Sequence, residues 1–147
     1  MIRHDLSQWP LVLSAARDAM SLDEQLVFFS DWNAWLDRGE SFSALRFFTD
    51  AEALRRPEGG AKDAKVWVQA NGERIRQFVI GMATVVPSDA LDEMSRINAE
   101  KLFGIPVQMF DDVNEAAMWL ASLSATQGRP LDVGAALRGL AALRGLS

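Results

Sequence analysis

Apolar residues along this chain follow two alternating patterns. Four short apolar runs, rich in β-branched and aromatic residues, predict strands. The third run is apolar almost throughout, which is typical of a strand covered by helices on both faces. The fourth contains Pro106, and a proline inside a strand predicts either an edge strand or the first residues of a strand. A weaker pattern in the first six residues predicts a hairpin partner for the first run. The runs occupy residues 11–13, 43–49, 78–87 and 105–110.

Segments with apolar residues at helical spacing separate these runs and predict helices. Ser21 and Asp112 each have a glutamate three residues later, the capping-box spacing in which both side chains satisfy free amides of the first turn. Ser88 is the predicted cap of the third helix. The predicted helices span residues 21–38, 61–77, 89–103 and a segment that begins at 112.

Strand and helix alternate four times, and a tail follows. Such alternation predicts an α/β fold with a small, mostly parallel sheet and about four flanking helices. We predict an α/β domain over residues 1–125 and a C-terminal helical extension over 126–147. Gly139 and Gly145 weaken the extension as an isolated helix, so we expect it to pack on the domain or on a second copy. In the second case, deleting the residues after Gly128 would leave a folded monomer.

The composition is typical of a soluble globular chain, and it argues against several kinds of function. The 147 residues, 49% of them apolar, are enough for a substantial core. A formal net charge of −5 argues against nucleic-acid binding, because phosphate neutralisation requires a basic face. No apolar run is long enough to cross a bilayer, which predicts no membrane insertion and a cytoplasmic location. The absence of cysteine excludes disulfides, thiol catalysis and zinc–thiolate sites.

No motif indicates catalysis or cofactor binding. The strand-to-helix turns lack both familiar glycine-rich phosphate-binding patterns. No G-x-S-x-G elbow accompanies the single histidine, His4. Asp111 and Asp112 are best explained as the start of a helix, because no second group of ligands accompanies them. We therefore predict no catalytic residue, no metal and no cofactor, while a carboxylate-dependent enzyme stays open as an alternative.

Five tryptophans are many for a chain of this length. Trp32 and Trp35 lie one helical turn apart, and we expect one to face the core or its rim and the other to lie nearer solvent. Core packing is the expected role of most of the five. Partly exposed tryptophans can also anchor a protein interface or line an apolar pocket.

Four stretches between about Trp9 and Ser122 resemble a known family in their order and in their pattern of apolar and polar residues. They are "WPLV", "FFSDWNAWLDRGESFSALRFF", "GMATVVPS" and "IPVQMFDDVNEAAMWLAS". They are similar to the STAS-like fold of anti-sigma-factor antagonists and sulphate-transporter regulatory domains. The resemblance is closer to bacterial stand-alone SpoIIAA-like proteins of unassigned function. Members that switch by phosphorylation carry an Asp-Ser-x-Gly-like motif before the second helix. This chain has Thr49, Asp50 and no serine there, so no phosphorylation site is predicted.

The resemblance implies a non-enzymatic regulatory or scaffolding module that binds a protein partner and forms a homo-oligomer. Such domains bind partners through the loop before the second helix and through that helix. A small-molecule or lipid carrier is the alternative, because similar architectures hold apolar pockets, here expected beneath Trp67 and Phe78. By analogy with the family, the partner-binding residues are Asp50, Arg55, Arg56, Lys62, Lys65 and Trp67.

Overall fold

A computed structural model describes residues 1–97 and 99–145. The strands in these residues are β1 (Ile2–Asp5), β2 (Leu11–Ala16), β3 (Phe42–Phe48), β4 (Val79–Val85) and β5 (Val107–Phe110). The helices are α1 (Leu22–Asp37), α2 (Gly60–Phe78), α3 (Leu91–Ser95), α4 (Ala99–Phe103), α5 (Val113–Thr126) and α6 (Val133–Leu143). Short 3-10 turns occupy Glu52–Leu54 and Ser88–Ala90.

The described strands form one mixed sheet in the order β1-β2-β3-β4-β5. β1 pairs antiparallel with β2, and the other neighbours pair in parallel. The predicted α/β class is therefore confirmed, as are the N-terminal hairpin and the edge position of β5. Because the parallel strands share one direction, their carboxyl ends and the loops that follow them meet at one edge of the sheet.

Helices cover both faces of the sheet. The first face carries Phe42 and Ala44 of β3 and Met82 of β4, and packs against α1, α2 and α4. The second face carries the alternate residues, such as Leu45 and Ala83, and packs against α5 and α6. This division follows from the two-residue period of a strand. The parallel strands are apolar on both faces because both faces are covered.

The predicted helix caps of α1 and α5 are confirmed. Ser21 Oγ accepts a hydrogen bond from the Glu24 amide at 3.1 Å. Asp112 Oδ1 accepts one from the Glu115 amide at 3.0 Å. The aspartate that follows β5 therefore begins a helix, and each cap satisfies one of the free amides of a first helical turn.

The predicted continuous third helix is wrong where the structure describes it. Pro87 holds the N-cap position of the 3-10 turn, and Ser88 makes no side-chain capping bond. α3 ends at Ser95, and α4 begins only at Ala99; Asn98, which the prediction also included, lies outside the described residues. The break leaves Ala99 packed in the core of the first face while Ile97 remains exposed.

The expectation that Trp32 and Trp35 differ in exposure is also wrong. Their exposed fractions are 5% and 4%, so both lie in the core. Helical positions three residues apart are separated by only about 60° around the axis, and both side chains therefore face the sheet. Trp32 contacts Phe42, and the edge of Trp35 meets the ring of His4.

The C-terminal extension packs on the chain's own sheet. Ala136 and Leu140 are almost fully buried in the core of the second face. Asp132 caps α6 by accepting a hydrogen bond from the Ala135 amide. Gln8 Nε2 donates a hydrogen bond to the Ala135 carbonyl oxygen at 2.8 Å, which ties α6 to the loop between β1 and β2. Leu146 and Ser147, the end of the predicted extension, lie outside the described residues.

Candidate functional site: a pocket with a buried arginine

A row of polar side chains crosses the first face of the sheet near its carboxyl edge. The strand register pairs His4 with Ser14, Ser14 with Arg46, and Arg46 with Thr84. Met109 of β5 ends the row. These positions face the same way as the apolar residues Phe42 and Met82 of the core. Polar side chains in such positions need a partner or a function, because uncompensated burial is costly.

Arg46 is the most unusual member of the row. Its Nε and Nη2 both donate to Thr84 Oγ1, at 3.2 and 2.9 Å. Within residues 1–97 and 99–145, no carboxylate lies close enough to form an ion pair with it. Burial, followed by the repulsion of nearby Arg56, lowers the pKa of Arg46 to about 10. Taken as a whole, Arg46 is half-buried, and it lines a pocket.

The bonds to Thr84 leave one edge of the Arg46 guanidinium without a partner. A guanidinium has five N–H donors, and Thr84 takes the Nε–H and one N–H of Nη2. The two N–H groups of Nη1 and the second of Nη2 make no hydrogen bond to the described residues. Nη1 and Nη2 together form a fork that matches the two oxygens of a carboxylate or phosphate.

Two adjacent compartments of one pocket lie over this arginine, between the sheet and helices α1 to α4. The outer compartment has a volume of about 410 Å³ and the inner one about 110 Å³. Both are lined mainly by apolar side chains. The outer compartment is lined by Ile2, Met20, Gln25, Phe28, Phe29, Arg46, Phe48, Ala53, Leu54, Arg55, Arg56, Pro57, Thr84, Glu93, Met94, Ile97, Ala99, Leu102, Phe103 and Met109. The inner compartment is lined by Phe28, Phe29, Trp32, Arg46, Arg56, Ala64, Trp67, Val68, Ile75, Met82 and Phe103.

The pocket is positively charged although the whole protein is acidic. Arg46, Arg55 and Arg56 line the outer compartment, and Glu93 is the one carboxylate among the residues that line it. Arg55 pairs with Glu52 at the surface, where both side chains are well exposed. Arg56 forms no ion pair with the described carboxylates. The pocket therefore presents two guanidinium groups that no carboxylate of the described chain neutralises.

Aromatic side chains of α1 and α2 form the wall of the inner compartment. Trp67 stacks on Phe29 with ring centroids 5.1 Å apart and meets Trp32 edge-on. Its Nε1 donates a hydrogen bond to Asn33 Oδ1 at 3.1 Å. Packing and this hydrogen bond hold the indole in place.

The structure separates the predicted partner-binding residues. Arg55, Arg56 and Trp67 line the pocket, and both arginines are exposed. Lys62 is exposed on α2, and Lys65 lines an open groove on the outer side of that helix. Asp50 holds the turn after β3 by accepting hydrogen bonds from the amides of Ala53 and Asp18.

The expected place of an apolar pocket is half correct. Trp67 lines the inner compartment, whereas Phe78 packs in the core of the first face without lining it. Sequence reasoning missed Arg46 altogether. The signal was the alternation within β3, where Phe42 and Ala44 face the first face and place Arg46 beside them.

His4 lies in the packed core beside Ser14 and near Asp31. Its Nδ1 lies 2.7 Å from Ser14 Oγ, and its Nε2 is 3.6 Å from Asp31 Oδ2, beyond hydrogen-bonding distance. The ring is packed between Phe28 and Trp35. Ser14 is 2% exposed, so no substrate can reach its hydroxyl. The described residues also contain no group of three or more histidine, aspartate or glutamate side chains that could hold a metal ion.

Comparison of the chain with protein-family models, curated proteins and solved structures finds no match. Fold and site together define an α/β protein with a mixed sheet and a cationic, apolar pocket. Among the helices that the structure describes, none has the length and apolar character needed to cross a membrane.

Proposed function

We propose that this protein binds a small amphipathic molecule whose anionic group is held by Arg46 and whose apolar part fills the pocket. The observation that carries the proposal is the buried guanidinium with an unused donor edge and no carboxylate partner. A ligand oxyanion would supply the missing charge and accept the unused N–H groups. The apolar lining, with few polar groups, is typical of small-molecule sites.

Binding explains the arrangement better than catalysis does. The Thr84 hydroxyl already accepts two hydrogen bonds from Arg46, which itself is a poor proton donor or acceptor. Glu93 lies at the exposed rim, on the short helix α3. The described pocket residues contain no nucleophile held by a neighbouring base, which acyl-transfer chemistry would require.

The proposal predicts opposite effects of Arg46→Met on stability and on binding. Without ligand, the variant should unfold at a higher temperature, because the removal of a desolvated charge without a carboxylate partner outweighs the loss of its two hydrogen bonds to Thr84. Its affinity for dodecanoate and dodecyl phosphate should fall roughly tenfold to hundredfold, the worth of hydrogen bonds to a charged group. Its affinity for dodecanol should be unchanged or higher. Isothermal titration calorimetry and thermal unfolding measure these quantities.

Arg138→Met is the matched control, since Arg138 is exposed on α6 at the opposite side of the sheet. It should alter neither ligand affinity nor unfolding temperature appreciably. The proposal is wrong if the wild-type protein binds neither anionic probe. It is equally wrong if dodecanol binds the wild-type protein as tightly as the anions do, or if Arg46→Met weakens the fold and leaves anion binding intact.

A second candidate is the interaction module implied by the STAS-like resemblance. Its support is a set of large apolar side chains that stay exposed on α1 and α2. Leu26, Val27 and Val66 are 57%, 60% and 57% exposed. Helices α1 and α2 pack against each other, so both belong to the same layer over the first face. Apolar residues in this setting favour a protein partner or a second copy of the chain.

A further inference from the structure

The Arg46 guanidinium lies at the boundary between the two compartments of the pocket. Five residues line both compartments: Phe28, Phe29, Arg46, Arg56 and Phe103. An oxyanion held by Arg46 therefore has apolar space on two sides. A ligand with its charge at one end of a single chain could fill only one of these spaces.

The compartments differ in the size of the group that each accepts. An apolar cavity of about 150 Å³ accommodates benzene, so the inner compartment of about 110 Å³ suits a somewhat smaller group, such as a short alkyl branch. Its lining includes the buried residues Trp32, Ile75 and Met82. The outer compartment, about 410 Å³, has room for a longer chain and opens at the exposed residues Ile97 and Leu102.

The geometry points to a carboxylate that is internal to its ligand, flanked by a short apolar branch in the inner compartment and a longer apolar chain in the outer one. This inference rests on the proposed function and specifies the shape of the ligand. The unused Nη1–Nη2 edge of Arg46 would hold both carboxylate oxygens. Arg56, which lines both compartments, would add a second positive charge beside them.

Two isomeric ligands test this shape directly. Dodecanoate carries its carboxylate at the chain end, whereas 2-butyloctanoate, of the same formula and charge, carries it beside a butyl branch. We expect the wild-type protein to bind 2-butyloctanoate roughly tenfold more tightly, because its butyl branch would bury about two methylene groups that the longer linear chain of dodecanoate leaves at the open side of the outer compartment. Isothermal titration calorimetry with each isomer measures the ratio of the two dissociation constants.

Variants that fill one compartment show which compartment holds the butyl branch of 2-butyloctanoate. Ala64→Leu narrows the inner compartment and should remove the preference for the branched isomer while leaving dodecanoate affinity nearly unchanged. Val68→Phe fills the same compartment from a half-buried position, and it replaces Ala64→Leu in this test if that variant does not fold. Ala53→Leu, which lines only the outer compartment, is the matched control and should weaken both isomers equally.

The outcomes of these binding measurements distinguish a failure of the inferred ligand shape from a failure of the proposed function. Equal or tighter binding of dodecanoate overturns the inferred shape and leaves the proposed function standing. A preference for 2-butyloctanoate that survives both Ala64→Leu and Val68→Phe also overturns it, because the branch then lies elsewhere. If neither isomer binds, the proposed function itself fails.

Discussion

His4 shows what a single polar residue costs in the core of the first face. Its ring is enclosed by Ser14 of β2 and by Phe28 and Trp35 of α1. Burial lowers the pKa of His4 below its usual 6.5, and the charge of Asp31 offsets part of that shift. The folded protein therefore binds a proton at His4 less readily than the unfolded chain does.

This difference predicts an acid-dependent loss of stability. The contribution of neutral His4 is complete above about pH 6.5 and is lost as the pH falls through that value toward the lower pKa of the folded state. His4→Asn, which can keep the bond to Ser14, should flatten the dependence of the unfolding free energy between about pH 7.5 and pH 5.5. Urea unfolding at several pH values measures it.

Asp31→Asn provides the matched comparison for His4. Removing the carboxylate takes away the one charge that favours protonated His4, so the loss of stability on acidification should become steeper. A wild-type protein whose stability does not change through this pH range would refute the role assigned to His4. The same holds if His4→Asn reproduces the wild-type profile.

Single residues also show which features could be predicted from the sequence and which could not. Ser21 and Asp112 could be identified as caps because a cap depends on residues only three positions away. Arg46 could not be identified as a site residue in the same manner. Its position opposite Thr84, and the absence of a carboxylate nearby, depend on strand register and on helices distant in sequence.

At the scale of elements, α6 is part of the core rather than an appendage. It contacts α5, β2 and β1, and its residues Ala136 and Leu140 are 0% and 1% exposed. The sequence indicated that this segment would need a packing partner, because its glycines make an isolated helix weak. It did not indicate which partner, since apolar spacing alone does not distinguish the chain's own sheet from a second copy.

The packing of α6 predicts a large effect of Leu140→Ala. The substitution should lower the free energy of unfolding by about 3 kcal/mol, the usual cost of deleting a buried leucine side chain. Arg138→Ala on the exposed side of the same helix is the control and should change it by less than about 0.5 kcal/mol. Urea unfolding followed by circular dichroism measures both values.

Deleting the residues after Gly128 is the stronger form of that change. Because it uncovers Leu11 and Leu13 of β2 on the second face, we expect an unfolded or aggregated chain rather than the folded monomer expected for a tail that packs on a second copy. A truncated protein that stays folded with wild-type stability would contradict the core role of α6.

At the scale of the whole molecule, the fold class was predictable and the pocket was not. The alternation of strands and helices can be predicted from the local spacing of apolar residues, and only a few layered architectures are compatible with it. The pocket forms where α1, α2 and the broken segment α3–α4 leave the carboxyl edge of the sheet incompletely covered. The third helix was wrongly predicted as continuous, so this gap could not be foreseen.

Self-association is the whole-molecule property that tests the exposed apolar residues of α1. If they join two copies, the double variant Leu26→Gln, Val27→Gln should be monomeric where the wild-type protein is a dimer or larger. Met118→Gln on α5 is the matched control, because Met118 is 58% exposed and α5 covers the second face. Native mass spectrometry and analytical ultracentrifugation measure the assembly. A wild-type monomer, or a double variant that still assembles, would count against this interface.

α6 follows all five strands in the sequence, and this order has a consequence for the order of events during synthesis. Strands β2 to β5 and the helices between them are added to the sheet in the sequence in which they leave the ribosome. The first face, with its pocket, can therefore close from contacts between neighbouring segments, which form early. The second face has to wait for α6, whose bond to Gln8 spans 127 residues. Until α6 emerges, an apolar sheet surface remains open to chaperones or to aggregation.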